Sequence, residues 1–332
     1  MIKTYLLTLT TLAPLHIGSG IKYSSKEYIY ENQQFYFPEM GRLFQYIQSL
    51  NEEASFSSFL LQSGNWNNTR NPRLIDYLIQ NNIRERDFGG YLIDSHGFEG
   101  NENPNSVNEI LGFIQDPFGD PYIPGSSLKG ALRTILVNSV FQTDKLPFGP
   151  TATYEESIFY NIRVSDSQPI SKERLTLAQK WDYSDRKCEA KFLPIHRQAI
   201  KPLTKVSFVI TCEGVKAIEL VEDLPKHAKT FANKYDKFFL NDQNIEIVHD
   251  CIQSPIYIGG GSGCWTKTIM DQAEKHVKER HSRGKTRMVG RGVLKLTKYP
   301  IVTMKTNIRT IPLAYRNNFY LMGKSMFQIK ER

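Results

Sequence analysis

Two serines, a lysine and an arginine follow a Pro-Gly turn at residues 124–125 and have the residue types of a phosphate site. Serines at the start of a helix can cap its first turn, where unpaired N–H groups carry partial positive charge and attract anions. A lysine and an arginine four residues apart share one helix face, beside a glycine that lets another backbone approach. The residues that carry this prediction are Ser126, Ser127, Lys129, Gly130 and Arg133. An ordinary amphipathic helix with two solvated basic residues is the alternative.

A glycine-rich run later in the chain is the second arrangement that could hold an anion. The run IGGGSGCWTKT at residues 258–268 leaves successive backbone N–H groups bare, as in an anion-binding nest. Neither the P-loop nor the dinucleotide fingerprint fits, because Cys264 and Trp265 occupy positions that those motifs give to glycine and lysine. The predicted anion site comprises Gly259, Gly260, Gly261, Ser262, Gly263 and Lys267. A purely structural glycine loop is the alternative.

Nearly all of the net charge of the chain can be assigned to residues 267–298. This segment has ten Lys or Arg and three Asp or Glu, which gives +7 (10 − 3) of the formal net charge of +8. Glycines interrupt the part that contains Lys285, Arg287 and Arg291, so its cations cannot form one regular helical stripe. We expect a mobile basic loop that orders on nucleic acid.

Length and composition fit a two-domain protein with an anionic partner. The chain has 332 residues, 40% of them hydrophobic, and a pI near 9.1. Its four cysteines form no CxxC pair, which excludes the usual zinc-ribbon spacings and gives no disulfide framework. Reduced thiols in a cytoplasmic protein are the simplest interpretation. No apolar run reaches the length of about 18 residues that predicts a membrane span.

Hydrophobic periodicity predicts an α+β protein. Strands are expected at residues 2–12, 158–164, 191–197, 205–212, near 256 and at 293–297, with a hairpin at 28–37. Helices are expected from Ser126 and at 224–239. An inserted helical lobe is expected at residues 41–114, ending in a helix through Val107 and Ile114. The polar stretch at 165–189 is expected to protrude as a hairpin or loop. This order of elements predicts two βαββαβ sheets with helices on one face.

Three segments in this order resemble the RAMP proteins of CRISPR effector complexes. They are the run LHIGSG at residues 15–20, residues 122–130 with Arg133, and residues 259–263 with Lys267. The helical insertion, the middle protrusion and the run MVGRGVLKLTKY at 288–299 look most like the subunit that caps the backbone filament in type III-A (Csm) complexes. The resemblance implies two ferredoxin-like (RRM-like) domains, guide RNA held near its 3′ end, a neighbouring RAMP backbone subunit and a protruding thumb.

With this resemblance, residues 1–165 are expected to form the first ferredoxin-like domain, with its helical insertion at about 41–114. Residues 166–332 are expected to form the second, with the thumb at about 165–205 and the glycine-rich loop at 259–263. The first motif and its neighbour add His16, Gly18, Ser19, Gly20 and Lys22 to the expected RNA-binding residues. The expected partners are guide RNA, other subunits of the complex and host nucleases, with no membrane, metal or cofactor, and the expected role is in guide maturation and antiviral defence.

No catalytic role is expected. RAMP subunits that cut target RNA place an aspartate after the first strand. Residues 20–30 here contain no aspartate, and Glu27 is their only acidic residue. His249-Asp250 spells an HD dipeptide, but no further histidine stands at a recognisable metal-ligand spacing. A guide-processing ribonuclease that uses His16 as general acid or base is one alternative. A protein-protein adaptor whose helical lobe recruits other factors is another.

Overall fold

The computed structural model describes residues 1–32, 34–62, 71–94, 107, 109–141, 158–184, 187–240, 254–263, 265–267, 280–282, 285–287, 293–298 and 319–332. The α-helices are α1 (Met40–Ser49), α2 (Glu53–Leu61), α3 (Leu74–Gln80), α4 (Gly125–Leu136), α5 (Val215–Glu222) and α6 (Leu224–Tyr235). The strands in the first half are β1 (Ile2–Thr11), β2 (Gly18–Ser24), β3 (Ile29–Glu31), β4 (Gln34–Phe37), β5 (Tyr91–Asp94), β6 (Glu109–Phe113) and β7 (Ile162–Val164). Those in the second half are β8 (Leu175–Ser184), β9 (Glu189–Ile200), β10 (Lys205–Glu213), β11 (Pro255–Tyr257), β12 (Arg280–Ser282), β13 (Lys285–Arg287), β14 (Val293–Lys298), β15 (Phe319–Leu321) and β16 (Lys324–Glu331).

Strand β1 runs through the middle of a five-stranded sheet with the order β11-β16-β1-β10-β7, in which every pair is antiparallel. Alternate side chains Tyr5, Leu7 and Leu9 of β1 are buried, because successive residues of a strand point to opposite faces. Helices α4 and α6 pack together and contribute buried apolar stripes. When β16, α5 and the strands of the second sheet are left out, the remaining order β1-α4-β7-β10-α6-β11 is that of a βαββαβ unit.

A second, mixed sheet has the order β2-β6-β9-β8-β5-β4-β3, and β14 also pairs with β8 and with β15. The β6–β9 and β5–β8 pairs are parallel. An isolated bridge between Leu15 and Ile200 joins the end of β1 to β9, so the two sheets meet at the turn that follows β1. One apolar core extends through both sheets.

The α+β class is confirmed, as are the predicted strands at β1, β9, β10, β11 and β14 and the hairpin β3–β4. The predicted helix at 224–239 is α6 with a π-helical continuation at Asp236–Leu240. The predicted strand at 158–164 is confirmed only at β7, because residues 158–160 are helical. Each of the two large sheets combines strands from both sides of residue 165. The division into domains at that residue and the number of ferredoxin-like domains stay predictions.

The helical insertion is confirmed for α1, α2 and α3, which have a separate apolar core that includes Leu43, Phe56 and Tyr77. The predicted helix through residues 107–114 is wrong, because residues 109–113 are strand β6. β6 pairs with β2 on one side and β9 on the other. The apolar residues of β6, although spaced as in a helix, therefore lie in a strand between two neighbouring strands. The expected helical insertion contains both helices and strands.

The polar stretch at 165–189 includes all of β8, which pairs with β9 over its length as a long antiparallel hairpin. Leu175 and Leu177 at the base of this hairpin are fully buried. The base therefore belongs to the second sheet, and whether the outer part acts as a thumb stays a prediction. Part of the expected mobile basic loop is ordered as the two-stranded hairpin β12–β13.

Candidate nucleic-acid interface

The turn after β1 and the glycine-rich loop are in direct contact. The N–H of Gly260 donates to the carbonyl of His16 at 2.7 Å. Gly259 has φ of +87° and lies so close to the same turn that an added Cβ atom would be 2.2 Å from the His16 carbonyl oxygen. Two of the three predicted RNA-binding segments are thus adjacent, although they are more than two hundred residues apart in sequence.

His16 is a buried and fixed member of this contact. Only 4% of it is exposed, and its Nδ1 atom lies 2.7 Å from the carbonyl oxygen of Gln198, an arrangement in which a protonated Nδ1 donates. Its ring packs edge-on against Phe113. Burial lowers the pKa of His16 from 6.5 to about 4. The imidazole is therefore neutral at neutral pH and positions the loops by packing and hydrogen bonding.

The glycine-rich loop alternates its backbone conformation, with φ near +90° at Gly259, Gly261 and Gly263. An added Cβ at Gly261 would lie 2.1 Å from Nη1 of Arg197, so the missing side chain makes room for a guanidinium. Ser262 is buried and its hydroxyl donates to the Gly259 carbonyl at 3.0 Å. Lys267 donates to the same carbonyl at 2.8 Å, so this lysine stabilises the loop in addition to giving it a positive charge.

Helix α4 begins one residue earlier than the sequence predicts, with Pro124 as its N-cap. The prediction that Ser126 and Ser127 cap the helix is wrong, since both lie inside its first turn and no side-chain cap is formed. The prediction that the opening N–H groups are unpaired is also wrong for Gly125, whose N–H donates to Oδ1 of Asp166 at 2.7 Å. A carboxylate of the chain itself thus neutralises the positive end of the helix.

The exposed side of α4 offers the features that an RNA backbone would use. Gly130 is exposed, and a Cβ added there would meet nothing within 4 Å. The half-buried Lys129 has no hydrogen-bond or ion-pair partner among the described residues, and its pKa is lowered by burial. Arg133 lies over the ring of Phe159 at 5.7 Å. Helix α4 also contacts the turn at Trp265–Lys267, which connects it to the glycine-rich loop. All three predicted segments therefore lie side by side.

The remaining predicted residues have different surroundings. Strand β2, at the edge of the second sheet, contains Gly18, Ser19, Gly20 and Lys22. The Ser19 hydroxyl donates to the Gly112 carbonyl at 3.3 Å, and Lys22 pairs with Glu109 at 3.1 Å. Lys285 and Arg287 lie on β13. Arg291 and the HD dipeptide at 249–250 lie outside the described residues.

Two further residues shape this interface and escaped the sequence analysis. Arg197 on β9 donates to the carbonyl of Gly260 at 3.4 Å, and Asp166 holds the start of α4. Both act across long sequence separations, and neither belongs to a recognisable motif. In the part of the chain that the structure describes, no cluster of three or more His, Cys, Asp or Glu side chains could hold a metal ion, and no helix is long and apolar enough to cross a membrane.

Comparison with known proteins decides the family. The family model described as the RAMP superfamily matches residues 8–250. The chain belongs to the RAMP superfamily. The RAMP resemblance of the chain is therefore confirmed. The matched residues include the segments at 15–20 and 122–133 but not the one at 259–267. All three segments lie together in the fold.

This RAMP chain is similar to several proteins named CRISPR system Cms protein Csm5. The Streptococcus thermophilus protein is 45% identical over 351 residues, which cover 99% of this chain and 98% of the relative. The Enterococcus italicus protein is 27% identical and covers 83% of this chain and 84% of its own length.

Two solved structures share the fold of this RAMP chain. One chain in the cryo-EM structure of a Csm-crRNA-target RNA ternary complex of a type III-A CRISPR-Cas system has a TM-score of 0.65 at 17% identity, covering 99% of this chain and 100% of that chain. The crystal structure of T. onnurineus Csm5 has a TM-score of 0.57 at 18% identity, covering 81% of this chain and 94% of that chain.

Proposed function

We propose that this RAMP chain is a non-catalytic RNA-binding subunit of a type III-A CRISPR effector complex. In this proposal it holds the 3′ region of the guide RNA and caps the backbone filament, next to a RAMP backbone subunit. The 45% identity to a CRISPR protein of S. thermophilus over nearly the whole chain supports membership of such a complex. Shielding of the guide end would account for a role in guide maturation and antiviral defence in the cytoplasm.

The observation that carries this proposal is the meeting of three distant segments at one surface. The turn after β1, the glycine-rich loop and α4 are separated by more than a hundred residues each, yet they are adjacent in the fold. Helix α4 itself has open space at Gly130 and a half-buried Lys129 with no partner among the described residues. These features suit phosphates and 2′-hydroxyls, and the part of the chain that the structure describes shows no arrangement that would read bases.

A salt titration tests whether this surface binds the RNA backbone. With about four phosphates neutralised, the logarithm of affinity for single-stranded RNA should fall against the logarithm of salt concentration with a slope near −3, at about −0.7 per phosphate. Lys129→Gln should weaken binding to unrelated RNA sequences alike. Lys216→Gln removes the same charge from α5, where Lys216 pairs with Glu219 at 3.7 Å, and serves as the matched control. A slope near zero for the unmodified chain would rule out the proposal.

We expect no RNA cleavage by this chain, because its two candidate catalytic groups have structural roles. Glu27 accepts hydrogen bonds from the N–H and the hydroxyl of Ser24 at 2.8 Å and 2.9 Å, which assigns its carboxylate to a turn. His16, with a pKa near 4 and 4% exposure, is poorly suited to general acid catalysis at neutral pH. Both observations disfavour a guide-processing ribonuclease. Cleavage of guide or target RNA by the purified chain that disappears in His16→Ala would favour that alternative.

Contact with other proteins is best placed on the helical lobe. Its exposed apolar side chains include Phe44, Leu50, Leu61 and Ile79, which are not among the buried residues of its own core and are available for contacts. We assign this lobe to contacts with other subunits or with host nucleases that trim the guide. An adaptor function of this kind is compatible with RNA binding at α4, because the two sites share no residues.

A further inference from the structure

A group of charged side chains lies directly behind the glycine-rich loop, on three neighbouring strands. Arg197 on β9 stands opposite Ala178 on β8, and Lys295 on β14 stands opposite Asp182 on β8. Lys180 lies two residues from Asp182 on the same strand and contacts it at 3.5 Å. The three cations therefore face the same side of the second sheet.

Positive charge exceeds negative charge in this group. Lys295 pairs with Asp182 at 2.8 Å, and the same carboxylate is the only acidic group that Lys180 contacts among the described residues. Three cations thus share one carboxylate. Their side chains are shielded from water, since those of Lys180 and Lys295 are 15% and 28% exposed and that of Asp182 is 22% exposed. Like charges at short range in a partly desolvated place repel one another.

Parts of the group also have unmet hydrogen-bonding capacity. Nε of Arg197 is buried and has no hydrogen-bond partner among the described residues. Burial lowers the pKa of Arg197 and of Lys180, and for Lys180 the nearby Lys295 and Arg197 lower it further. A buried donor is normally satisfied, so a guanidinium N–H left open beside excess positive charge calls for an anion.

The contacts between this group and the glycine-rich loop indicate which kind of anion it binds. Nη1 of Arg197 contacts the Gly260 carbonyl at 3.4 Å, and the side chain of Lys295 is the nearest neighbour of Gly263, 3.7 Å from an added Cβ. We propose that Lys180, Arg197 and Lys295 form a second phosphate site for single-stranded RNA, in addition to the one proposed on α4. The glycine-rich loop then serves as the spacer that lets Arg197 reach its place. This inference rests on the RNA-binding function proposed above.

The test compares folding and binding in variants of the full-length chain. Lys180→Gln removes one of the mutually repelling cations, so the melting temperature of the RNA-free protein should stay level or rise. Its affinity for a short fluorescein-labelled single-stranded RNA should fall by about tenfold, because one charge-assisted contact is lost. The salt slope should become shallower by about 0.7. Lys180→Arg keeps the charge and should retain the slope, and Lys295→Gln is the second variant at the same site.

Lys216→Gln again supplies the matched control, with an equal change of net charge at a position 53% exposed on α5. The proposal is overturned if Lys180→Gln and Lys295→Gln bind RNA like the unmodified chain while Lys129→Gln weakens binding. That pattern would leave the proposed function standing. A salt slope near zero for the unmodified chain would instead refute both.

Discussion

Replacing Gly130 by alanine should separate the stability of α4 from its use as an RNA surface. Gly130 is the sixth residue of the twelve-residue helix α4, and an added Cβ would contact nothing within 4 Å. Alanine in a helix interior is favoured over glycine by about 0.5–1 kcal/mol, so Gly130→Ala should raise the melting temperature by roughly 1–4 °C. The helix gains stability without any steric cost inside the chain.

The same methyl group should interfere with bound RNA. If the backbone of the guide approaches the open side of Gly130, the methyl group crowds it by about 1 kcal/mol or more, which corresponds to at least about a fivefold loss of affinity. Fluorescence anisotropy with labelled single-stranded RNA measures this loss, and thermal unfolding of the same preparation measures the stability. The two changes should have opposite signs.

Gly41→Ala provides the matched control. Gly41 lies in helix α1 of the lobe, is exposed, and has equally open space around an added Cβ. This variant should be at least as stable as the unmodified chain and should bind RNA equally well. Unchanged RNA affinity in Gly130→Ala would refute the assignment of this helix face to RNA, and an unchanged melting temperature would refute the backbone argument.

Three further predictions concern the groups that hold the interface together. Gly259→Ala should lower the melting temperature more than Gly263→Ala does, because both have φ of +87° but only the first Cβ, at 2.2 Å from the His16 carbonyl, meets backbone. Asp166→Ala should cost about 1 kcal/mol of unfolding free energy in urea, since it removes the acceptor for the first N–H of α4; an unchanged value would show that solvent replaces it. Stability should be full above pH 6.5 and decline as pH falls towards 4, because burial lowers the pKa of His16 and His196 from 6.5 to about 4 and folding disfavours their protonation. His16→Gln should flatten this decline in urea titrations across that range, and an equally steep decline would contradict the burial argument.

Local patterns predicted the elements whose contacts are mostly regular. Alternating apolar residues in β1 and β10 and the apolar stripe of α6 gave strands and a helix at the right places. The pattern failed at residues 109–113, where the spacing of Ile110 and Leu111 fits a helix but pairing with β2 and β9 imposes a strand. Strand pairing between distant segments leaves no local signal, so tertiary contacts override propensity there.

The candidate site shows the same limit. Glycines and basic residues close together in sequence identified the segments at 126–133 and 259–267, and the family resemblance added the segment at 15–20 and suggested the RNA-binding function proposed for all three. Arg197 and Asp166 could not be found in this way, because each acts on a segment that is 63 or 41 residues away. The fold alone brings the guanidinium under Gly261 and the carboxylate to the start of α4.

A positional cross-linking experiment can show whether this chain holds the 3′ region of the guide RNA. The complex is assembled with guide RNA that carries 4-thiouridine near its 3′ end or, in a parallel sample, near its 5′ end. After irradiation, the cross-linked peptides of this chain are identified. If this chain holds the 3′ region, the 3′ probe should cross-link to the segments at residues 15–20, 125–133 and 259–267. Cross-links to this chain from the 5′ probe only, or to none of these segments, would show that it does not.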